Sequence, residues 1–221
     1  DGSSVFAKNN KYGFFPSGAV AWKIHQEPFM ADFSILSELK VRASYGLVGN
    51  AAIGSYASLA KFSTTNGVLN NNTKIVVVIP TSVSNDELSW ESTKQMDVGI
   101  DVGLFDDRVT FTGDYYSKTT FDLLFEKEFP ATSGFDKGFV NIGEVGNKGF
   151  EFNIHTVNML KPVKWETDFN FSTNKNEILK LTGESFQFVN NPTLSTALSL
   201  DLNVLKVGEP ISTFYGLAYD G

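Results

Sequence analysis

Strict alternation of apolar and polar residues is the feature that most limits what this chain can become. Val98, Ile100, Val102 and Leu104 interleave with Asp97, Gly99, Asp101 and Gly103. Val109, Phe111, Gly113 and Tyr115 interleave with Thr110, Thr112 and Asp114. Val41, Ala43, Tyr45 and Leu47 do the same with Lys40, Arg42, Ser44 and Gly46, as do Phe150, Phe152 and Ile154 with Glu151, Asn153 and His155. Trp165, Thr167, Phe169 and Phe171 alternate with Glu166, Asp168, Asn170 and Ser172. A β-strand sends successive side chains to opposite faces, so each stretch predicts a strand with one apolar and one polar side. A weaker candidate, Phe14 to Ile24, sets Val20, Trp22 and Ile24 in phase ahead of them.

The connections are unequal. Phe105-Asp106-Asp107-Arg108 reads as a tight reversal, with the aspartates supplying turn chemistry. A second short one holds Pro162, which cannot donate to a ladder and belongs at a turn or edge. Against these stand long polar stretches: Val48 to Glu87, with its Asn70-Asn71-Asn72-Thr73 run, Ser117 to Asn141, and the region after Asn174. Ile75 to Ile79 is expected to form a short strand. So is the alternating Leu198, Leu200, Leu202 and Val204 after the Pro-containing loop around Asn191. Helix signals are thin: Glu27 to Glu38 is expected to hold one short turn, capped at Asp32. The five alternating stretches predict strands of about 10 residues or more, where ordinary strands average about 5 to 6.

Two environments satisfy such strands. In a soluble antiparallel sandwich the apolar faces pack together and the polar faces meet water. In a transmembrane barrel the apolar face meets lipid and the polar face lines the lumen. Strand length suits the tilted 9 to 11 residues of a bilayer crossing. Alternating short and long connections suit a barrel too. Trp22, Trp90, Tyr115, Tyr116 and Trp165 fall near predicted strand ends, where an aromatic girdle belongs. Phe occurs 20 times, twice as often as Tyr and Trp together, which suits a surface that does not face water on both sides. The residues alone leave both environments open.

Composition removes several kinds of chemistry. There is no cysteine, hence no disulfide scaffold, cysteine nucleophile or thiolate metal site. His25 and His155 are the only histidines, too few for a multi-histidine zinc centre. A net charge of −7 argues against a nucleic-acid partner. No apolar run approaches a transmembrane helix, and Asp1 to Ala7 carries no basic head or apolar stretch, so no signal peptide is expected. Gly143, Gly146 and Gly149 have the wrong spacing for a dinucleotide fingerprint and precede a strand, so they read as turn or packing glycines. Asp97 with Asp101 reads as a polar wall rather than a glycosidase pair. His155 with Glu151 reads as a solvated pair lacking a third metal ligand. Asn71-Asn72-Thr73 reads as an ordinary polar loop. No catalytic residue, cofactor or metal site is expected, and the residues do not identify a ligand-binding set.

Specific words separate the two environments. Phe15-Pro16-Ser17-Gly18-Ala19-Val20-Ala21-Trp22, Leu39-Lys40-Val41-Arg42-Ala43-Ser44-Tyr45-Gly46-Leu47-Val48-Gly49-Asn50 and Tyr56-Ala57-Ser58-Leu59-Ala60 occur in that order. They are followed by Leu88-Ser89-Trp90-Glu91-Ser92-Thr93, Val98 to Phe105, Asp114-Tyr115-Tyr116-Ser117-Lys118 and Thr132-Ser133-Gly134-Phe135. The series closes with Asn141 to Gly149, and with Val207-Gly208-Glu209-Pro210-Ile211 followed by Phe214-Tyr215-Gly216. Together they resemble the SusC/RagA family of TonB-dependent outer-membrane receptors over nearly the whole chain, most poorly at Ser185 to Lys206. The resemblance implies an all-β, antiparallel up-and-down meander within a transmembrane barrel of about 22 strands, of which this chain supplies roughly six to eight. It implies that 1–221 is one partial barrel, with plug, TonB box and remaining strands lying outside it.

By the same resemblance the function is import of glycan oligosaccharides, or peptides, across the outer membrane of a Gram-negative, Bacteroidetes-like bacterium. A SusD-like surface lipoprotein, TonB and outer-membrane lipid are the implied partners, and catalysis is not part of the mechanism. A soluble β-sandwich carbohydrate-binding module and a passive porin are the alternatives. In the barrel, Val98, Ile100, Val102, Phe111, Phe152, Ile154, Phe169 and Phe171 are expected to face lipid. Asp97, Asp101, Asp114, Glu151, Asp168 and Asn170 are expected to face the lumen. Strands are expected near Phe14–Ile24, Leu39–Leu47, Leu88–Leu104, Arg108–Lys118, Glu144–Asn158 and Val163–Asn174, each paired with its sequence neighbour. Such a sheet alone, with two open edges, is expected to aggregate.

Overall fold

The computed structural model describes residues 1–68, 74–135, 137–181, 186–189 and 203–216. Among them lie strands β1 (Ser17–Lys23), β2 (Leu36–Asn50), β3 (Lys61–Val68), β4 (Lys74–Ser82), β5 (Glu91–Leu104), β6 (Val109–Phe121) and β7 (Leu124–Glu128). They continue with β8 (Lys137–Asn141), β9 (Glu144–Met159), β10 (Trp165–Lys180), β11 (Phe186–Val189), β12 (Asn203–Lys206) and β13 (Thr213–Phe214). Among the described residues helix is limited to single 3₁₀ turns such as Ile24–Gln26 and Pro28–Met30. The chain divides into two compact units.

The larger unit, Pro16–Val48, Thr93–Thr120 and Glu144–Gly221, holds the body of a six-stranded sheet in the order β1-β2-β5-β6-β9-β10. This is the expected meander: each long strand pairs with the next long strand, and β1–β2 and β9–β10 are antiparallel. The register of the last pair sets Phe169 opposite Ile154 and Phe171 opposite Phe152, with Asp168 opposite His155 and Asn170 opposite Asn153. Apolar thus meets apolar and polar meets polar, and a one-residue slip would invert every contact. β2, β9 and β10 run for 15, 16 and 16 residues: β2 outruns both expected ends, β9 ends at Met159 instead of Asn158, and β10 starts later, at Trp165, and continues to Lys180.

The turn from β5 to β6 is tight because Phe105, Asp106 and Asp107 all sit in the left-handed region, at φ of 57°, 55° and 60°. Asp is among the few residues that visit this region readily. Ser37 on β2 holds the turn: its hydroxyl donates to Asp107 Oδ1 at 2.6 Å and accepts from the Asp107 amide at 3.1 Å. The turn from β9 to β10 carries a cis peptide before Pro162.

Between β1 and β2 the short turn expected within Glu27 to Glu38 forms as the 3₁₀ turn Pro28–Met30, with Glu27 rather than Asp32 at its N-cap. Pro28 opens it, and β2 has begun by Leu36. Proline suits a first helical position. After β10 the chain builds a small three-stranded sheet, β11-β12-β13. It docks on the end of β10 through main-chain bonds from Gly208 N to Ile178 O and from Ile178 N to Glu209 O, 2.8 and 2.9 Å. Ile178 is 2% exposed. Of the strand expected over Leu198 to Val204, Leu198 to Leu202 lies outside the described residues, as does Asn70 to Thr73.

The second unit is Asp1–Phe15, Gly49–Ser92 and Phe121–Gly143, essentially the long connections. The sequence reads them as polar loops with one short strand at Ile75 to Ile79. In the structure that strand grows into β4, paired antiparallel with β3, and β7 and β8 form inside the second loop. Phe6, Ala57 and Leu88 are buried, at 2%, 5% and 0% exposure. The Trp90 ring packs between Phe6 and Phe15, both at 5.3 Å centroid separation. A Cβ on Gly49 would run into the Phe15 ring.

Asparagine side chains close this unit by imitating a strand. Asn141 Oδ1 accepts from the Ser89 amide at 2.8 Å, and its Nδ2 donates to the Ser89 and Asp122 carbonyls at 2.9 Å each. Asn85 Nδ2 donates to the Phe139 carbonyl at 3.0 Å, and Asn10 Nδ2 to the Leu88 carbonyl at 3.2 Å. Each such bond contributes about 1 kcal/mol. Asn141→Ala removes three of them at once and is expected to speed amide exchange at Ser89 by about tenfold to a hundredfold, read by hydrogen-exchange mass spectrometry.

Candidate functional site

The polar face of the six-stranded sheet is built around an internal repeat in β5, Asp97-Val98-Gly99-Ile100 followed by Asp101-Val102-Gly103-Leu104. Alternation places Asp97, Gly99, Asp101 and Gly103 on one face. Carboxylates and gaps therefore alternate along the polar side of the strand. Arg42 on β2 fills the arrangement. Its Nε and Nη2 donate to the two oxygens of Asp101, both at 3.0 Å, a bidentate fork. Nη2 also pairs with Asp114 Oδ1 on β6, at 3.0 Å.

That second bond crosses β5 entirely, and Gly99 is what lets it pass. A Cβ there would collide with Asp114 Oδ1 and stand 2.8 Å from Arg42 Nη2. Gly103 repeats the device lower down, since a Cβ on it would lie 2.8 Å from Ser37 Oγ and 2.5 Å from Asp107 Oδ1. Lys40 adds a second cation to Asp101 at 3.3 Å, and Asp97 accepts from Ser44 at 3.1 Å and from Gln95 at 2.9 and 3.0 Å. Further round the face, Tyr116 donates to Asn174 at 3.1 Å, His155 Nδ1 meets Asp168 at 2.7 Å and Asn153 bonds Asn170. A polar depression of about 600 Å³ opens between Arg42, Ser44, Asp97, Asp114, Tyr116 and Glu151.

The structure sorts the residues singled out in the sequence. Asp97 and Asp101 share the polar face as expected, and each has its own partners rather than acting as a pair. His155 bonds Asp168 on the next strand, not Glu151, whose register partner is Ser172. Gly143 takes φ of 83° in a turn, and a Cβ on Gly149 would strike the Thr173 carbonyl. The role of Arg42 was missed, because its two partners come from β5 and β6 and only the register brings them together. Among the described residues no cluster of three or more His, Asp or Glu is arranged to hold a metal ion. What this face offers is charge and hydrogen bonding to a polar ligand.

The opposite face is aromatic and uncovered. Phe152 lies 6.1, 5.9, 5.8 and 5.2 Å from Phe111, Phe150, Phe169 and Phe171. Phe169 is 53% exposed, Trp165 57% and Val20 73%. An exposed apolar surface of this kind marks a face that is covered by lipid or by another apolar surface. Its limits are marked by lysines on the same side: Lys94 stands ten residues from Leu104, Lys148 ten from Asn158, and Lys175 ten from Trp165. Ten residues at about 3.3 Å each, tilted by about 40°, give a band about 25 Å tall, the height of a barrel's lipid-facing belt.

Residues 1–220 match the family profile described as TonB dependent receptor-like, β-barrel. Over its full length the chain is 44% identical to TonB-dependent receptor P3 of Formosa agariphila, and over 97% of its length it is 35% identical to TonB-dependent receptor SusC of Bacteroides thetaiotaomicron. Its fold is similar to that of the RagAB peptide importer in the closed-closed state, with a TM-score of 0.82 at 26% identity over 96% of this chain. The chain spans 22% of the length of each of these proteins.

Gly99→Val is expected to push Arg42 away from Asp114 while leaving the Asp101 fork in place. A partly exposed bridge of this kind is worth about 1 kcal/mol or less. The loss should appear as a small fall in the denaturation midpoint that is not additive with Asp114→Asn.

Proposed function

The chain belongs to the TonB-dependent receptor β-barrel family, and on that premise we propose that residues 1–221 are one stretch of the wall of an outer-membrane importer. The observation that carries the reading is the two-sidedness of the sheet: an aromatic belt about 25 Å tall on one face and a charged, hydrogen-bonding surface on the other. The belt faces lipid, and Arg42, Asp97, Asp101, Asp114, Glu151 and Asp168 line the lumen. The short turns at Phe105–Arg108 and around Pro162 face the periplasm. The rest of a barrel of about 22 strands closes the wall, a plug with its TonB box occupies the lumen, and TonB supplies the energy for release inward.

The cargo is a glycan oligosaccharide or a peptide, delivered with a SusD-like surface lipoprotein in a Gram-negative, Bacteroidetes-like cell. Likeness to a protein named a peptide importer supports the peptide, and relatedness to SusC supports the lipoprotein partner. The wall segment contributes contacts and no bond-making chemistry. Uptake of labelled oligosaccharides and peptides by cells with and without TonB tests the proposal. Uptake that persists without TonB would make the protein a passive porin, and a receptor found in the soluble fraction would make the sheet part of a β-sandwich binding module.

Sidedness gives a sharper test. Phe169→Arg places a charge on the lipid face, which costs about 2 to 4 kcal/mol near the bilayer midplane. Asp168→Arg, one residue away, places it in the lumen. The first should lower the amount of assembled receptor in the outer membrane severalfold and the second should not, as read by heat-modifiable migration of the membrane fraction. Equal tolerance would overturn the assignment of the faces.

A further inference from the structure

The upper edge of the aromatic belt carries a feature that a plain lipid-facing wall does not need. Lys148 and Lys175 are direct register partners on β9 and β10, and their side chains leave the same face. Like charges directly opposite on neighbouring strands repel. Both are exposed, and both sit where the apolar belt ends. Beside them the sheet surface is hollowed into a small depression of about 160 Å³, bounded by Lys148, Lys175, Ser117, Thr119, Glu177 and Leu179. Lys148, Lys175, Ser117 and Thr119 line it together with the apolar side chain of Leu179. Glu177 pairs with Lys175 at 2.9 Å and neutralises one of the two charges in part. Lys94 holds a corresponding position on β5, its ammonium over the Tyr45 ring at 5.8 Å from the centroid.

We propose that this depression is a binding site for the phosphate of an outer-leaflet lipid headgroup, with Lys148 and Lys175 as the cationic ligands, Ser117 and Thr119 as hydroxyl donors and the acyl chains lying on the Phe150–Phe171 belt. This rests on the membrane reading of the sheet. Lysine stems covering apolar surface while the ammonium reaches the headgroup level fit that depth. An anion between Lys148 and Lys175 also turns their mutual repulsion into two attractions. The phosphate comes from a lipid rather than from solution because the site opens at the rim of the lipid-facing belt, where acyl chains and headgroup are both at hand.

The test uses the complete receptor, its double variant Lys148→Gln/Lys175→Gln, the charge-preserving Lys148→Arg/Lys175→Arg, and Lys164→Gln in the short turn as control. Each is purified from outer membranes in mild detergent, scored for assembly by heat-modifiable migration, and incubated with bis-phosphorylated or dephosphorylated lipid A. Native mass spectrometry counts bound lipid per assembled receptor. Removing two headgroup-level cations should lower retention of the phosphorylated lipid about tenfold, with the arginine form and Lys164→Gln unchanged and the dephosphorylated lipid weakly held throughout. Equal retention by wild type and the glutamine variant, with both assembled in the membrane, would overturn the site and leave the membrane reading intact. A wild-type receptor absent from the outer membrane would overturn both. Inorganic phosphate protecting Lys148 and Lys175 from acetylation as well as the lipid does would overturn the lipid as ligand.

Discussion

Hydrogen bonding between neighbouring long strands is the constraint on which everything else in this protein depends. In hydrocarbon a backbone amide or carbonyl without a partner costs several kcal/mol, and no water is present to supply one. A sheet solves this only along its interior ladders. Its side chains are then free to differ completely on the two faces, and the six-stranded sheet uses that freedom fully. Phenylalanine covers one side and carboxylate, guanidinium and amide groups the other. Among the described residues β1 and β10 each have a long strand partner on one side only, and an edge of that kind needs a cover.

The sheet was legible in the sequence because a period of two leaves no ambiguity about face. Asp97 to Leu104 and Trp165 to Ser172 each announce a strand and its inner side without reference to any partner. The long connections were not legible in the same way. Lys61 to Val68 mixes Phe, Ser, Thr, Asn and Gly, with no apolar face to read, and becomes a strand only because β4 lies beside it. Within Glu27 to Glu38 the turn was legible but its cap was not: Pro28 starts it, so Glu27 and not Asp32 stands at the N-cap. The Arg42 cluster was hidden because its members are 59 and 72 residues apart in the chain.

The words that carried the family resemblance acquire physical meaning here. Asn50 donates to Glu91 Oε1 at 3.0 Å, and Glu91 Oε2 accepts the Leu124 amide at 3.1 Å. Asn141 pairs with Ser89, and Trp90 rests against Phe15 over Gly49. Each is a side chain or gap that satisfies backbone or aromatic surface where the regular ladder has stopped. Recurrent words in such a chain mark the places where geometry is irregular, whereas an apolar strand face needs only hydrophobicity of any kind and therefore leaves no distinctive spelling.

The glycine gaps of β5 act as a check on alignment during assembly. Arg42 can reach Asp114 only when a residue without a side chain lies beneath it. A slip of β5 by one residue would bring Val98 or Ile100 under the guanidinium, and a slip by two would block the passage with a carboxylate. The Asp-Val-Gly-Ile spelling returns after four residues, but a shift of that size, about 13 Å, puts Phe105 where Asp101 is needed or Gln95 where Gly99 is needed and fails as well. A displacement that large would also tear Phe105–Arg108 away from Ser37. Two short repeats and two missing side chains thus leave three adjoining strands a single setting in which all of them close.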